Sequence, residues 1–201
     1  MIRVLIAEDQ AMVRGALASL LALESDIEVV GEVERGDHVL EAAAATAPDV
    51  VLLDIEMPGL DGISVAGALA HEQPTTRILI LTTFGRPGYL RRALESGASG
   101  FLLKDAPADR LAAAVRTVSE GGLALDPVLA AAAVTEGPSP LTEREQQVLA
   151  AAAGHNTAAE IASALHLSEG TVRNYLSASI RKLGARNRRE AIDRAVEKGW
   201  L

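Results

Sequence analysis

Glu8, Asp9, Asp54, Thr82 and Lys104 are the residues of this 201-residue chain whose types and placement point to chemistry. Each follows a short apolar run. Ile2–Ala7 leads to Glu8 and Asp9, Val50–Leu53 to Asp54, Ile78–Leu81 to Thr82, and Phe101–Leu103 to Lys104. Brought to one place, three carboxylates would repel one another and resist ionising unless a cation sat between them. A hard divalent ion that takes oxygen ligands and keeps waters, Mg2+ (or Mn2+), suits such a set. Ion, ammonium and hydroxyl together make a clamp for an incoming phosphoryl group. Asp54, on the middle run, is the expected nucleophile, because carboxylates form aspartyl phosphates. Singly, each of these residues has an ordinary structural explanation, as a helix cap, a strand residue or a surface charge. The full set at the ends of successive runs favours the phosphoryl reading.

The elements that must position them are legible too. The runs, with Ile27–Val33 as a fifth, are mostly unbroken, as in strands buried on both faces. Helical patterns fill the gaps at Met12–Glu24, Gly36–Thr46, Gly62–His71, Tyr89–Ser96 and Pro107–Glu120. The last starts on a residue with no N–H to leave unpaired. Val13, Leu17, Leu20 and Leu21 form one apolar stripe, and Leu111, Ala114, Val115 and Val118 another. The alternation predicts an α/β domain on a doubly wound, five-stranded parallel sheet. Right-handed crossovers in such a sheet leave ligands beyond the carboxyl ends of the strands, the rim these residues share. Gly59 and Gly62 fit a tight loop after the third strand, where positive φ is needed.

The absence of Cys excludes disulfides, thiolate metal sites and thiol nucleophiles, and suits a reducing compartment. No basic start precedes the first apolar run, so no signal peptide is expected. No apolar stretch nears the ~18 residues of a membrane span. Residues 1–140 hold 10 Lys and Arg against 20 Asp and Glu, a net of −10, whereas residues 141–201 hold 9 against 7, a net of +2. That shift predicts two domains with different partners. The expected bounds are 1–122 for the first, 123–140 for a linker with a short helix, and 141–201 for an all-α tail. Gly121-Gly122 ends the last helix of the first domain, Asp126 and Pro127 start the linker helix, and Glu136-Gly137-Pro138-Ser139-Pro140 breaks it.

The tail reads as four helices. Thr142 and Glu145 form a capping box for the first, which runs to Ala153 and closes at Gly154. Asn156 or Thr157 starts the second, through Ala164; Ser168 caps the third, through about Leu183; the fourth spans about Arg188–Lys198. The second and third, joined by Leu165-His166-Leu167, make a helix-turn-helix candidate. Val172, Leu176, Ile180 and Leu183 face the core at helical spacing, leaving Arg173, Asn174, Ser177 and Arg181 on another face. That face offers a guanidinium for guanine or phosphate, an amide for adenine and a small hydroxyl. Ser168 and Thr171, at the positive end of the helix dipole, suit phosphate contact, and Lys182, Arg186, Arg188 and Arg189 add charge.

Several motifs carry a resemblance to known families. Glu8-Asp9, Asp54 with Met57-Pro58-Gly59, Asp61-Gly62, Leu81-Thr82 and Phe101-Leu102-Leu103-Lys104 resemble the receiver domains of bacterial response regulators over about Met1–Glu120. The resemblance implies the doubly wound (βα)5 arrangement of CheY and flavodoxin. It implies that Asp54 takes phosphate from a sensor histidine kinase. It assigns Mg2+ to Asp9, Asp54 and the main-chain carbonyl of Glu56, with Glu8 acting through water. Lys104 pairs with the phosphoryl oxygens, Thr82 moves to bond the phosphate, and Phe101 turns inward with it. Leu141-Thr142-Glu143-Arg144-Glu145, Glu160-Ile161-Ala162 and Ser168–Tyr175 closely resemble the LuxR/FixJ/NarL-type DNA-binding domain. By position, Arg173, Asn174 and Ser177 then point into the major groove. Tyr175 stands where relatives often carry His, and Ser177 where a Lys can occur, so DNA shape contributes to readout. Thr82-Thr83-Phe84 with Arg86-Pro87-Gly88-Tyr89, Ile55–Gly59 and Glu197-Lys198-Gly199-Trp200 resemble regulators of the DesR type, whose namesakes control fatty-acid desaturase genes.

Together these readings lead to a cytoplasmic two-component transcription regulator that catalyses only its own phosphorylation and dephosphorylation. A single small DNA-binding head contacts few bases, so phosphorylation is expected to drive dimerisation on two promoter half-sites. The dimer surface is assigned to the first and last receiver helices, with Met12, Ala16, Leu20 and Leu23 at helical spacing on the first. RNA polymerase is a further partner; insertion into a membrane is not expected. The alternatives are a phosphate-independent regulator and a phosphotransfer sink with little DNA-binding role. A Mg2+-dependent phosphohydrolase would need a second acid–base carboxylate near Asp54.

Overall fold

The computed structural model describes residues 1–83, 87–136, 139–154 and 157–201, and for residues 87 and 132–136 the backbone alone. Phe84 and Arg86 of the DesR-like motif, Gly137-Pro138 of the linker and the alternative cap Asn156 lie outside the described residues. The chain divides into two compact units, and the last break along it falls after Ala131.

The first unit is a parallel sheet in the order β2-β1-β3-β4-β5-β6. The strands are β1 (Ile2–Ala7), β2 (Ile27–Val33), β3 (Val50–Asp54), β4 (Arg77–Thr82), β5 (Gly100–Leu103) and β6 (Ala124–Leu125). Five are the predicted runs. The sixth corrects the five-stranded expectation: two residues are too short for any periodicity, yet Ala124 and Leu125 pair in parallel with Gly100 and Phe101. With β6 in the sheet and Leu129 buried, the start of α6 (Pro127–Glu136) belongs to this unit, past the expected end at Gly122.

Every residue of β3 is buried, which is why Val50–Leu53 reads as a continuous apolar run. Val4, Ile6, Leu52, Leu79 and Leu81 pack against Leu21 of α1 (Ala11–Leu21) and Leu111, Val115 and Val118 of α5 (Ala108–Ser119). The alternating residues Leu5, Val51, Leu53 and Ile80 are buried on the opposite face. The helices between β2 and β5 are α2 (Val39–Thr46), preceded by a 3-10 turn at Gly36–His38, α3 (Gly62–Glu72) and α4 (Pro87–Glu95). They bury Val39, Ala43, Val65, Ala66, Leu69, Leu90 and Ala93. Pro107 proves to be the residue before α5, at φ −55° and ψ 145°, rather than its first helical residue. Helix α1 ends at Leu21, so Leu23 and Glu24 lie in the turn beyond it.

The second unit holds α7 (Glu143–Ala153), α8 (Ala158–Ala164), α9 (Glu169–Lys182) and α10 (Arg188–Glu197). Thr142 with Glu145 and Thr157 with Glu160 are complete capping boxes, and Ser168 and Asn187 cap α9 and α10. Two apolar clusters join them. Leu149, Leu183, Ala191 and Ala195 form one, and Val148, Ile161, Ala162 and Val172 the other. The turn between α8 and α9 places His166 at φ 53° and lets the Leu167 N–H donate to Ala162 O at 2.8 Å. That is the bond pattern by which a helix end satisfies its last carbonyls.

Candidate functional site: an acidic pocket and an exposed helix face

Strand order reverses between β1 and β3, and the crevice beyond their carboxyl ends is where such sheets place ligands. Glu8 and Asp9 follow β1 there, and Asp54 closes β3. Their carboxylate oxygens lie within 4.8 Å of one another. Lys104, one residue past β5, places its Nζ 2.6 Å from Glu8 Oε2 and 2.9 Å from Asp54 Oδ2. Its main-chain N–H donates to Thr82 O at 2.9 Å, so the end of β4 holds the Lys in place. Asp54 Oδ1 accepts from the Ile55 N–H at 2.8 Å, and Glu8 Oε1 from the Gln10 N–H at 3.2 Å.

Glu8, Asp54 and Thr82 are almost wholly shielded from solvent. Burial pushes the Glu8 and Asp54 carboxyls above their usual range, although the hydrogen bond from Lys104 to each works the other way. Burial also works against the Lys104 charge, but its hydrogen bonds to Glu8 and Asp54 outweigh that and hold the ammonium above its ordinary value. Asp9 Oδ1 is buried and accepts no hydrogen bond. A buried, unpartnered carboxylate oxygen costs free energy that a cation would offset.

The loop behind the pocket explains its glycines. Gly59 has the positive φ expected of it, 85°. Gly62 does not; its constraint is room, because a Cβ there would lie 2.0 Å from Asp54 O. Asp61 caps α3, its Oδ1 accepting from the Ile63 and Ser64 N–H groups.

In the second unit Arg173, Asn174, Ser177, Arg181 and Lys182 are exposed along α9, on the side away from buried Val172 and Ser179. Two of the cations have acidic partners. Arg173 pairs with Glu169 at 2.6 Å, one turn earlier. Lys182 reaches Glu145 at 2.7 Å and so ties α9 to the capping box of α7. Ser168 and Thr171 bond each other through their hydroxyls at 2.8 Å while Ser168 caps the helix.

A parallel sheet with an acid-lined switch point, joined to a helix-turn-helix unit, matches two family models. The response regulator receiver domain covers residues 4–116, and the luxR family of bacterial regulatory proteins covers residues 139–195. The transcriptional regulatory proteins YvfU and DesR of Bacillus subtilis (strain 168) are 47% and 46% identical to this chain, each over the full length of both chains. The crystal structure of ChrA, a response regulator in a heme-sensing two-component system, is 36% identical; the alignment covers 100% of this chain and 98% of that one at a TM-score of 0.60. The chain is a luxR-type response regulator.

As a response regulator it is a transcriptional regulator rather than a classical enzyme, with a receiver that answers to a histidine kinase and a head that binds DNA. Among the described residues, no helix of the regulator is long and apolar enough to cross a membrane. Its structure brings Glu8, Asp9, Asp54 and Lys104 together as their spacing predicts, with Thr82 at the adjoining strand end. The Glu56 side chain points to solvent. Phe101 is fully buried on β5, three residues before Lys104. Sequence reading missed three residues that touch these sites: Arg14 under the Glu8-Asp9 main chain, Glu169 on Arg173, and Glu145 as the partner of Lys182. Only Glu169 left a usable signal, its four-residue spacing from an Arg.

Proposed function

We propose that the regulator accepts a phosphoryl group on Asp54 from a sensor histidine kinase, and that the phosphorylated chain dimerises and binds two half-sites in promoter DNA. The observation that carries this is Lys104 joined to both Glu8 and Asp54 at the β1/β3 switch point, beside an unpartnered Asp9 oxygen. An Asp54 carboxylate oxygen attacks the phosphorus in line, forming an O–P bond as the P–N bond to the kinase histidine breaks. Lys104 turns part of its donor capacity from the carboxylates to the phosphoryl oxygens, and the Thr82 hydroxyl moves toward them. The residues fit a hard divalent cation: Asp9, Asp54 and the Glu56 carbonyl would hold Mg2+ (or Mn2+), with Glu8 acting through water. Bound there, the ion would offset the charge of the carboxylates and the incoming phosphoryl group. The autocatalytic steps of phosphorylation and dephosphorylation belong to this same pocket.

In this reading the receiver runs from residue 1 past Gly122 through β6 to the start of α6, the remainder up to residue 140 is the linker, and residues 141–201 are the DNA-binding head. Arg173, Asn174 and Ser177 read the major groove, Ser168, Thr171 and Arg181 contact phosphates, and Lys182 acts by fixing α9 more than by touching DNA. Dimerisation uses α1 and α5. Met12, Ala16, Leu20 and Leu23 are all exposed, as an unpartnered apolar face would be. The regulator works in the cytoplasm, with RNA polymerase as a further partner. The DesR-type resemblance extends the proposal to membrane-lipid genes. The test is DNA binding with and without a small acyl-phosphate donor, in wild type and Asp54→Ala, together with genome-wide mapping of both. Donor-dependent binding lost in Asp54→Ala supports the reading; full donor-induced binding by Asp54→Ala overturns it.

A further inference from the structure

Arg14 lies one turn into α1, and neither the pocket nor the apolar α1 face accounts for it. Its side chain is only 16% exposed. One guanidinium nitrogen donates to Glu8 O at 2.6 Å and lies 3.5 Å from Asp9 O. The same guanidinium lies 3.6 Å from a Glu32 carboxylate oxygen and 3.7 Å from one of Glu34. Those two acids flank Val33, whose carbonyl accepts the Glu8 N–H at 3.0 Å. The Glu8 peptide is therefore held on both sides, by the edge of β2 through its N–H and by Arg14 through its carbonyl. Carboxylates so placed depend on their main chain for direction. A strand end would otherwise be free to pivot, and a shift of well under an ångström there moves both acids relative to Asp54 and Lys104.

We propose that Arg14 is the positioning residue of the acidic pocket: anchored by Glu32 and Glu34, its guanidinium sets the Glu8-Asp9 main chain from which both carboxylates reach toward Asp54. This rests on the reading of that pocket as a divalent-cation and phosphoacceptor site. Arg14 touches neither ion nor phosphate. It acts through the geometry of the acids, as outer partners of metal ligands do, and losing such a partner typically costs about 10–100-fold in affinity.

The experiment is Mg2+ titration of the full-length chain, followed by calorimetry and by the backbone amide resonances of Glu8 and Asp9. It compares wild type with Arg14→Ala, Arg14→Lys and the double variant Glu32→Gln/Glu34→Gln, each with its unfolding midpoint measured in chelator. Arg14→Ala raises the Mg2+ Kd by about tenfold. Arg14→Lys recovers part of the loss, and the double variant, which keeps the Arg but removes its anchors, weakens Mg2+ in the same direction by less. Wild-type Mg2+ affinity in both Arg14→Ala and the double variant overturns the proposal. So does a loss that merely tracks the unfolding midpoint and is not recovered by Lys. A wild-type chain that binds no Mg2+ overturns the pocket reading itself, and this proposal with it, so the two failures are told apart.

Discussion

Glu8 and Asp54 are acids whose burial disfavours their charge, held together by one Lys that both contact. For the two carboxyls, burial opposes ionisation in the folded chain. A carboxyl whose folded-state pKa lies above its unfolded value binds more protons folded than unfolded, so its ionisation lowers stability as pH rises through that window. Glu8→Gln and Asp54→Asn, in chelator, should each raise the stability of the receiver at neutral pH by about 1 kcal/mol. The gain should fade as pH falls toward the ordinary carboxylate values, 4.5 for Glu and 3.8 for Asp, because carboxyls held above those values take up their protons first in the folded chain. Urea unfolding from pH 4 to pH 8, over roughly that window, measures it; variants less stable than wild type at neutral pH would show that Lys104 more than compensates burial. The pocket residues were legible because each directly follows an apolar run, and a strand's direction delivers its next residue to the rim. Arg14 was not, since its contact is to main-chain carbonyls, which carry no residue identity.

At the scale of elements, the second unit shows the opposite electrostatic sign. Glu145 is also buried, but hydrogen bonds from Lys182 and from Thr142 outweigh the burial and hold its carboxyl below the usual range. Its contribution is thus present above its ordinary 4.5 and lost as pH falls. Lys182→Met should destabilise the head by about 1–3 kcal/mol at neutral pH, because it leaves a buried carboxylate with one partner fewer. The penalty should shrink toward pH 4 and Glu145→Ala/Lys182→Met should show non-additive losses, read by thermal unfolding. The turn of the helix-turn-helix offers a gain instead. His166 sits in the left-handed region at φ 53°, exposed, where glycine carries no Cβ penalty. His166→Gly should stabilise the head by about 0.5–1 kcal/mol, an effect readable as a raised thermal midpoint. Caps were legible because they are made within three residues of themselves, as at Thr142, Thr157 and Ser168. Strand β6 was not, because its two residues become a strand only by pairing with β5. Likewise nothing local stops α1 at Leu21, whereas Arg116 of α5 binds Glu24 and Asp26 in the turn after it.

Over the whole molecule, charge and pattern separated an acidic front from a mildly basic tail, but the break along the chain lies beyond the expected receiver end because β6 extends the sheet. What links the two functions in the proposed cycle is the number of chains on the DNA. Met12 is 86% exposed, Leu23 80% and Leu20 37%, and these large apolar side chains lie on and just after α1. Their burial against a second copy would supply the free energy that one head lacks, at about 25 cal/mol per Å² of apolar surface removed from water. Leu23→Arg places a charge on that face without touching the pocket. It should leave the acyl-phosphate reaction at Asp54 unchanged and keep the phosphorylated chain monomeric in size-exclusion chromatography, where wild type moves to a dimer. Affinity for a two-half-site operator should fall at least tenfold, while affinity for an isolated half-site should stay as it was, because the second contact ceases to be intramolecular. A phosphorylated Leu23→Arg chain that still dimerises would place the interface elsewhere. A wild-type chain that is fully phosphorylated and monomeric would remove dimerisation from the switch altogether.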